Sequence, residues 1–156
     1  MSDFIKLTPA ASAFLSLHKD ERIVFTNGCF DLVHLGHLEY LAEARALGDR
    51  LFLGLNSDKS IREIKGSARP IVSELDRKSF LEHLRSVDFV EIFDEPTPLR
   101  LIREVAPDVL VKGGDWSVEQ IVGHEVVTAS GGEVKSLSFK DSFSTTSLIK
   151  KLQGKV

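Results

Sequence analysis

One cysteine, Cys29, stands among 156 residues, so no intramolecular disulfide staples this chain. There is no apolar run long enough to cross a bilayer and no secretory leader, which makes the cytoplasm the expected address and a membrane an unexpected partner. Charge of one sign is lacking as well. Lys and Arg number 20 against 23 Asp and Glu, interspersed to a net −3, which gives no basic face for nucleic acid. Two nucleotide-binding signatures are missing too. No G-x-G-x-x-G follows the first apolar strand, which argues against a dinucleotide-binding domain, and no G-x-x-x-x-G-K-[ST] occurs, which excludes a P-loop enzyme. Internal repeats and low-complexity linkers are absent, so residues 1–156 read as one domain. A hydrophobic content of 42% and a charged content of 28% fit an ordinary globular protein large enough to bury a core.

Short apolar strands alternate with amphipathic helices along the chain. Thr8 caps a first helix to about His18, with Pro9 at its first position; the core then runs from about 22 to 152. Strands are expected at 23–26, 51–55, 89–93, 109–111 and 134–137. Helices are expected at 35–47, from Ser73 to about Leu84, from Thr97-Pro98 to before Pro107, in a short stretch ended by Gly131-Gly132, and from Ser144 to Leu152. This order predicts an α/β, Rossmann-like, doubly wound five-stranded parallel sheet with helices on both faces. Such sheets bind ligands at the carboxyl ends of their strands, where the strand order reverses. The residues of interest fall there: 26–37, 56–58, 112–116 and 144–146. Lys65–Val72 is the longest loop, and Gly66, Arg69 and Pro70 mark it as an active-site flap or a phosphate-facing loop.

The most informative stretch runs from Thr26 to His37. An apolar strand, Ile23-Val24-Phe25, leads through Asn27-Gly28 into a helix opening near Leu35. His34 and His37 then lie three residues apart on one face of a helix N-terminus, with Gly36 between them. Unpaired N–H groups and the positive dipole end attract anions, so the site suits phosphate. The alternatives are a histidine pair that caps the helix, or half of a metal site. A metal site needs further ligands at suitable spacing, and the chain offers one cysteine.

His34-x-Gly36-His37 within Phe30–His37, together with Ser144-Thr145-Thr146, resembles the cytidylyltransferase-like nucleotidyltransferase superfamily over residues 22–152. Asn56-Ser57-Asp58, Lys65-Gly66-x-x-Arg69-Pro70, Pro107–Asp115 and Gly131–Val134 resemble the ADP-heptose synthases more narrowly. That family adenylylates D-glycero-β-D-manno-heptose 1-phosphate for lipopolysaccharide core assembly, often from a domain fused behind a sugar kinase. This chain resembles the stand-alone form. Glycerol-3-phosphate cytidylyltransferases share both motifs but lead into the second with Arg-Thr-x-Gly, where this chain reads Phe139–Phe143, with Ser142 where heptose enzymes often carry Gly. A CTP-dependent enzyme of that type is the alternative, and a non-catalytic nucleotide sensor is a third reading. An intact His-x-Gly-His, Lys65 and Ser-Thr-Thr argue against a sensor, which has no need of transition-state groups.

The resemblance implies attack of a sugar 1-phosphate oxygen on the α-phosphorus of ATP, in a homodimer, with Mg²⁺ carried mainly on phosphate oxygens and no metal held by the protein. His34, His37 and Lys65 are then catalytic, though Lys65 reads equally well as a solvated lysine at a helix end. Nucleotide binding falls to Thr26, Asn27, Gly28, Cys29, Phe30, Gly36, Lys112, Gly113, Asp115, Ser144, Thr145 and Thr146. For the last three the alternative is plain helix capping. Asp31, Asn56, Asp58 and Arg77 are assigned to the sugar phosphate. The alternatives are turn caps for the two aspartates and an Arg77–Glu74 pair on one helix.

Overall fold

A computed structural model of the chain describes residues 6–138 and 144–154. Its centre is a five-stranded sheet: β1 (Ile23–Gly28), β2 (Arg50–Asn56), β3 (Phe89–Phe93), β4 (Val109–Gly113) and β5 (Glu133–Leu137). All neighbours pair in parallel, in the order β3-β2-β1-β4-β5. The expected doubly wound sheet is therefore present, and its order reverses between β1 and β4.

Strand residues alternate between two cores. On one face Val24, Leu51, Leu53, Leu55, Val109 and Val111 pack with Leu41 and Ala44 of α2 (Leu35–Arg45) and Leu81 of α4 (Glu74–Glu82). On the other, Phe25, Phe52 and Leu110 meet Ala11 of α1 (Pro9–Leu17), Leu101 and Ile102 of α5 (Leu99–Val105), and Val127 of α6 (His124–Ala129). The central strands are covered on both faces, which is why Val24-Phe25, Leu51-Phe52-Leu53 and Val109-Leu110-Val111 are continuous apolar runs. The first helix is pinned by a polar contact: Glu91 of β3, buried, accepts from Thr8 N at 2.9 Å and Thr8 Oγ1 at 2.9 Å.

One helix departs from the expected order. α3 (Asp58–Lys65) fills a stretch to which the sequence assigns no element, and takes in Lys65, expected as the start of the longest loop. Ser57 caps it, accepting from Ser60 N at 3.1 Å, and Gly66 at φ 93° ends it. A short 3₁₀ turn at Val118–Gln120 and the final helix α7 (Thr145–Leu152) complete the described elements. No helix among the described residues is long and apolar enough to cross a membrane.

Candidate active site

A cavity of about 470 Å³ opens at the carboxyl ends of β1 and β4, where the strand order reverses. Asn27, Gly28, Cys29 and Phe30 form its floor at the end of β1, and Lys112 and Gly113 approach from β4. His37 and Tyr40 of α2 and Asn56, Ile64 and Lys65 from β2 and α3 add further lining. The floor is tightly shaped. Phe30 adopts φ 46°, a left-handed backbone that non-glycine residues enter at a cost, and a Cβ on Gly28 would stand 2.8 Å from its ring.

The two histidines occupy the N-cap and third positions of α2. Their rings stack with centroids 3.9 Å apart, and Phe30 packs on His37 at 5.2 Å. His37 Nδ1 accepts the His34 backbone N–H at 3.3 Å. That bond makes Nδ1 the acceptor of a neutral ring and leaves the proton on Nε2, so His37 is a hydrogen-bond donor. Burial, then the neighbouring His34 and the Lys65 charge, lower the His37 pKa to about 4. Burial also lowers that of His34. The capping reading of this pair is thus met through His37 Nδ1. His34 braces the ring, while His37 itself lines the cavity.

A stability prediction follows. Between pH 6.5 and about 4 an unfolded His37 takes up a proton that the folded ring refuses. Stability should therefore fall as pH drops through that window and be independent of this group above it. Urea unfolding at pH 7 and pH 5 should show a smaller loss for His37→Gln than for the wild type; equal losses would contradict the assignment.

Lys65 lies at the carboxyl end of α3, where a cation suits the dipole, and it also lines the cavity. Lys112 is half-buried; burial lowers its pKa and the adjacent Cys29 opposes that shift. Asn56 lines the cavity while its Nδ2 donates to Ser60 Oγ at 2.9 Å. At the β4 end Gly114 turns at φ 110°, held by its N–H to Leu137 O at 2.8 Å. Exposed Asp115 accepts from Ser138 Oγ at 3.3 Å beside the cavity.

Four expected ligand contacts are spent inside the protein. Thr26 is fully buried beneath the floor, its Oγ1 2.6 Å from Tyr40 Oη, whose pKa burial raises to about 12. Asp31 is buried as well. Its carboxylate accepts Arg69 Nε at 2.6 Å and the Ile71 and Val72 N–H groups at 2.8 and 3.0 Å. Burial would raise its pKa, but these bonds together hold it below the usual carboxylate value. Arg77, with a side chain 1% exposed, donates to Val72 O at 3.0 Å, Cys29 O at 2.6 Å, Asn56 O at 2.9 Å and Asp58 Oδ1 at 2.8 Å. Its guanidinium fork is filled from the ends of β1 and β2, the loop before α4 and the first residue of α3, where one Asp58 carboxylate oxygen is engaged in return. Glu74, the partner considered for Arg77 on its own helix, instead accepts the Asp58 N–H at 2.7 Å. None of these four residues is among those lining the cavity.

The Ser-Thr-Thr segment combines capping with anchoring. Ser144 Oγ accepts Ser147 N at 3.0 Å, and Thr145 Oγ1 donates to Leu32 O at 3.2 Å, tying α7 to the β1–α2 loop. Thr146 is exposed beside them, and Gly36 is buried in the first turn of α2. The lead-in Phe139–Phe143 lies outside the described residues. Among the described residues no group of three or more His, Cys, Asp or Glu could hold a metal ion. Sequence reasoning missed Tyr40, Pro96–Pro98 and Gln120–Val122, all of which line the cavity. Tyr40 sits one turn beyond His37 on the same helix face, a spacing that could have found it.

A cavity at a strand-order reversal, with a histidine at a helix N-terminus and two lysines among its lining, suits nucleotidyl transfer. The cytidylyltransferase-like family matches residues 25–151, and the chain belongs to it. More particularly, it is 52% identical over 151 residues to the "Bifunctional protein HldE" of Geotalea uraniireducens, covering 96% of this chain and 31% of that protein. Against the protein of the same name from Haemophilus ducreyi it is 55% identical, over 88% of this chain and 29% of the relative. The chain thus spans less than a third of the length of these relatives. Among solved structures, the lipopolysaccharide core biosynthesis protein of Thermoplasma volcanium matches at TM-score 0.62 and 28% identity, over 79% of this chain and 99% of that one. Pantothenate synthetase from Thermus thermophilus, at 14% identity and TM-score 0.63, shares the fold alone.

Proposed function

We propose that this chain transfers AMP from ATP to D-glycero-β-D-manno-heptose 1-phosphate, giving ADP-heptose and pyrophosphate. The observation that carries this reading is the convergence of His37, Lys65 and Lys112 on one cavity at the reversal point, in a chain so similar to the bifunctional relatives. The name of the Thermoplasma neighbour, which refers to lipopolysaccharide core biosynthesis, fits the heptose acceptor.

In the proposed reaction an oxygen of the sugar phosphate forms a bond to the α-phosphorus. The bond from that phosphorus to the bridging oxygen breaks, and pyrophosphate departs with the electron pair. No covalent enzyme intermediate is needed; alignment and charge stabilisation suffice. His37 Nε2–H donates to an oxygen of the transferring or leaving phosphate. Lys65 and Lys112 supply positive charge, and the floor amides of Cys29 and Phe30 add donors. The cavity's donors are neutral or cationic, so a magnesium ion arriving with ATP would be held by phosphate oxygens and water, as that ion prefers. Its contribution is to neutralise phosphate charge. We place the reaction in the cytoplasm, where ATP is available, and in a homodimer by family resemblance.

Base choice is the first test. Calorimetric titration with ATP and with CTP, each with Mg²⁺, should show tighter ATP binding. Tighter CTP binding with faster CTP turnover would transfer the case to the cytidylyltransferase reading.

A further inference from the structure

The loop between β3 and α5 was unremarkable in sequence, yet it walls the cavity with Pro96, Thr97 and Pro98. It lies beyond β2 and β3, on the opposite side of β1 from the β4 end. If the triphosphate lies over the end of β1 and the nucleoside over Lys112–Gly113, the acceptor is left the β2–β3 side. That assignment rests on the function proposed above.

The loop is rigid by construction. Prolines flank Thr97, and Pro98 is also the N-cap residue of α5 at φ −78°. The preceding Glu95 is bound through its carboxylate to Arg100, and its carbonyl accepts from Ser60 Oγ at 3.4 Å. Ser60 Oγ in turn accepts from Asn56 Nδ2, which joins this loop to another cavity-lining residue. On that fixed wall Thr97 is exposed, and its hydroxyl has no hydrogen-bond partner among the described residues. A hydroxyl is donor and acceptor at once, which matches a sugar hydroxyl better than a phosphate. Holding it on a rigid loop limits the entropy lost on binding.

We propose that Thr97 is a specificity-determining residue that hydrogen bonds a hydroxyl group of the acceptor, so that the β3–α5 loop selects a polyhydroxylated phosphate. Thr97→Val keeps the shape and β-branching and removes only the hydrogen bond. With heptose 1-phosphate as the varied substrate, KM should rise about tenfold, with KM for ATP and the melting temperature unchanged. Thr97→Ser should restore the wild-type KM. An unaltered acceptor KM in Thr97→Val, or a rise in KM for ATP instead, would overturn the proposal. Inactivity of the wild type with every sugar 1-phosphate would overturn the heptose reading alone. The same two variants, assayed with whichever phosphorylated alcohol the wild type accepts, would then decide the role of Thr97 by the same criteria.

Discussion

His37→Ala is expected to lower kcat by about a hundredfold or more while the protein stays folded. The ring is neutral above pH 4 or so, its Nδ1 is committed to the His34 N–H, which leaves the proton on Nε2, and the residue lines the cavity. A preorganised donor aimed at developing charge is worth roughly 2.7–4 kcal/mol, and a hundredfold in rate corresponds to about 2.7 kcal/mol. If the side chain served only as a cap and a packing surface for Phe30, the variant would lose melting temperature with kcat nearly intact. Pyrophosphate release and a thermal melt on the same preparation separate these outcomes. Near-normal turnover in a folded variant would remove His37 from the chemistry.

Arg77→Ala carries the second large effect, and it falls on stability first. The guanidinium holds the carbonyls of Cys29, Asn56 and Val72 and the Asp58 carboxylate. Truncation strands these acceptors, two of them on the cavity-lining residues Cys29 and Asn56. Removing one partner of a buried, hydrogen-bonded charge costs about 3–5 kcal/mol. For a chain of this length that corresponds to a melting temperature lower by roughly 10 °C. Because Cys29 belongs to the floor at the end of β1, the KM for ATP should rise along with that for the acceptor. Arg77→Lys should recover little, since an ammonium group cannot fill a planar fork. A direct contact with the sugar phosphate would instead raise only the acceptor KM and leave the melt unchanged, and that pattern would contradict the structural role.

What was legible in the sequence had local causes. The three central strands, β1, β2 and β4, each carry a run of apolar residues buried on both faces, and all five strands fall within two residues of their expected bounds. The His34–His37 pair was readable because strand, turn and helix are contiguous. α3 escaped notice because it is only eight residues long and buries only Ser60 and Ile61. Ser57 three residues before Ser60, and Gly66 after Lys65, were its signals at the two ends. The fates of Asp31 and Arg77 could not be read at all. Their partners lie tens of residues away, at Arg69, Cys29 and Asn56, and an arginine suited to phosphate is equally suited to three carbonyls and a carboxylate. The cavity wall at Thr97 was hidden for the same reason, since only the folded sheet brings it to the cavity that Lys65 also lines.

The central claim is adenylyl transfer to a sugar 1-phosphate. Its most direct test incubates the purified protein with Mg²⁺ and either ATP or CTP, against D-glycero-β-D-manno-heptose 1-phosphate and glycerol 3-phosphate. Pyrophosphate is followed continuously and the nucleotide product is identified by mass. Pyrophosphate formed from ATP and the heptose phosphate, in step with ADP-heptose, is the predicted result. Product formation from CTP and glycerol 3-phosphate, with none from ATP and the sugar, would contradict it.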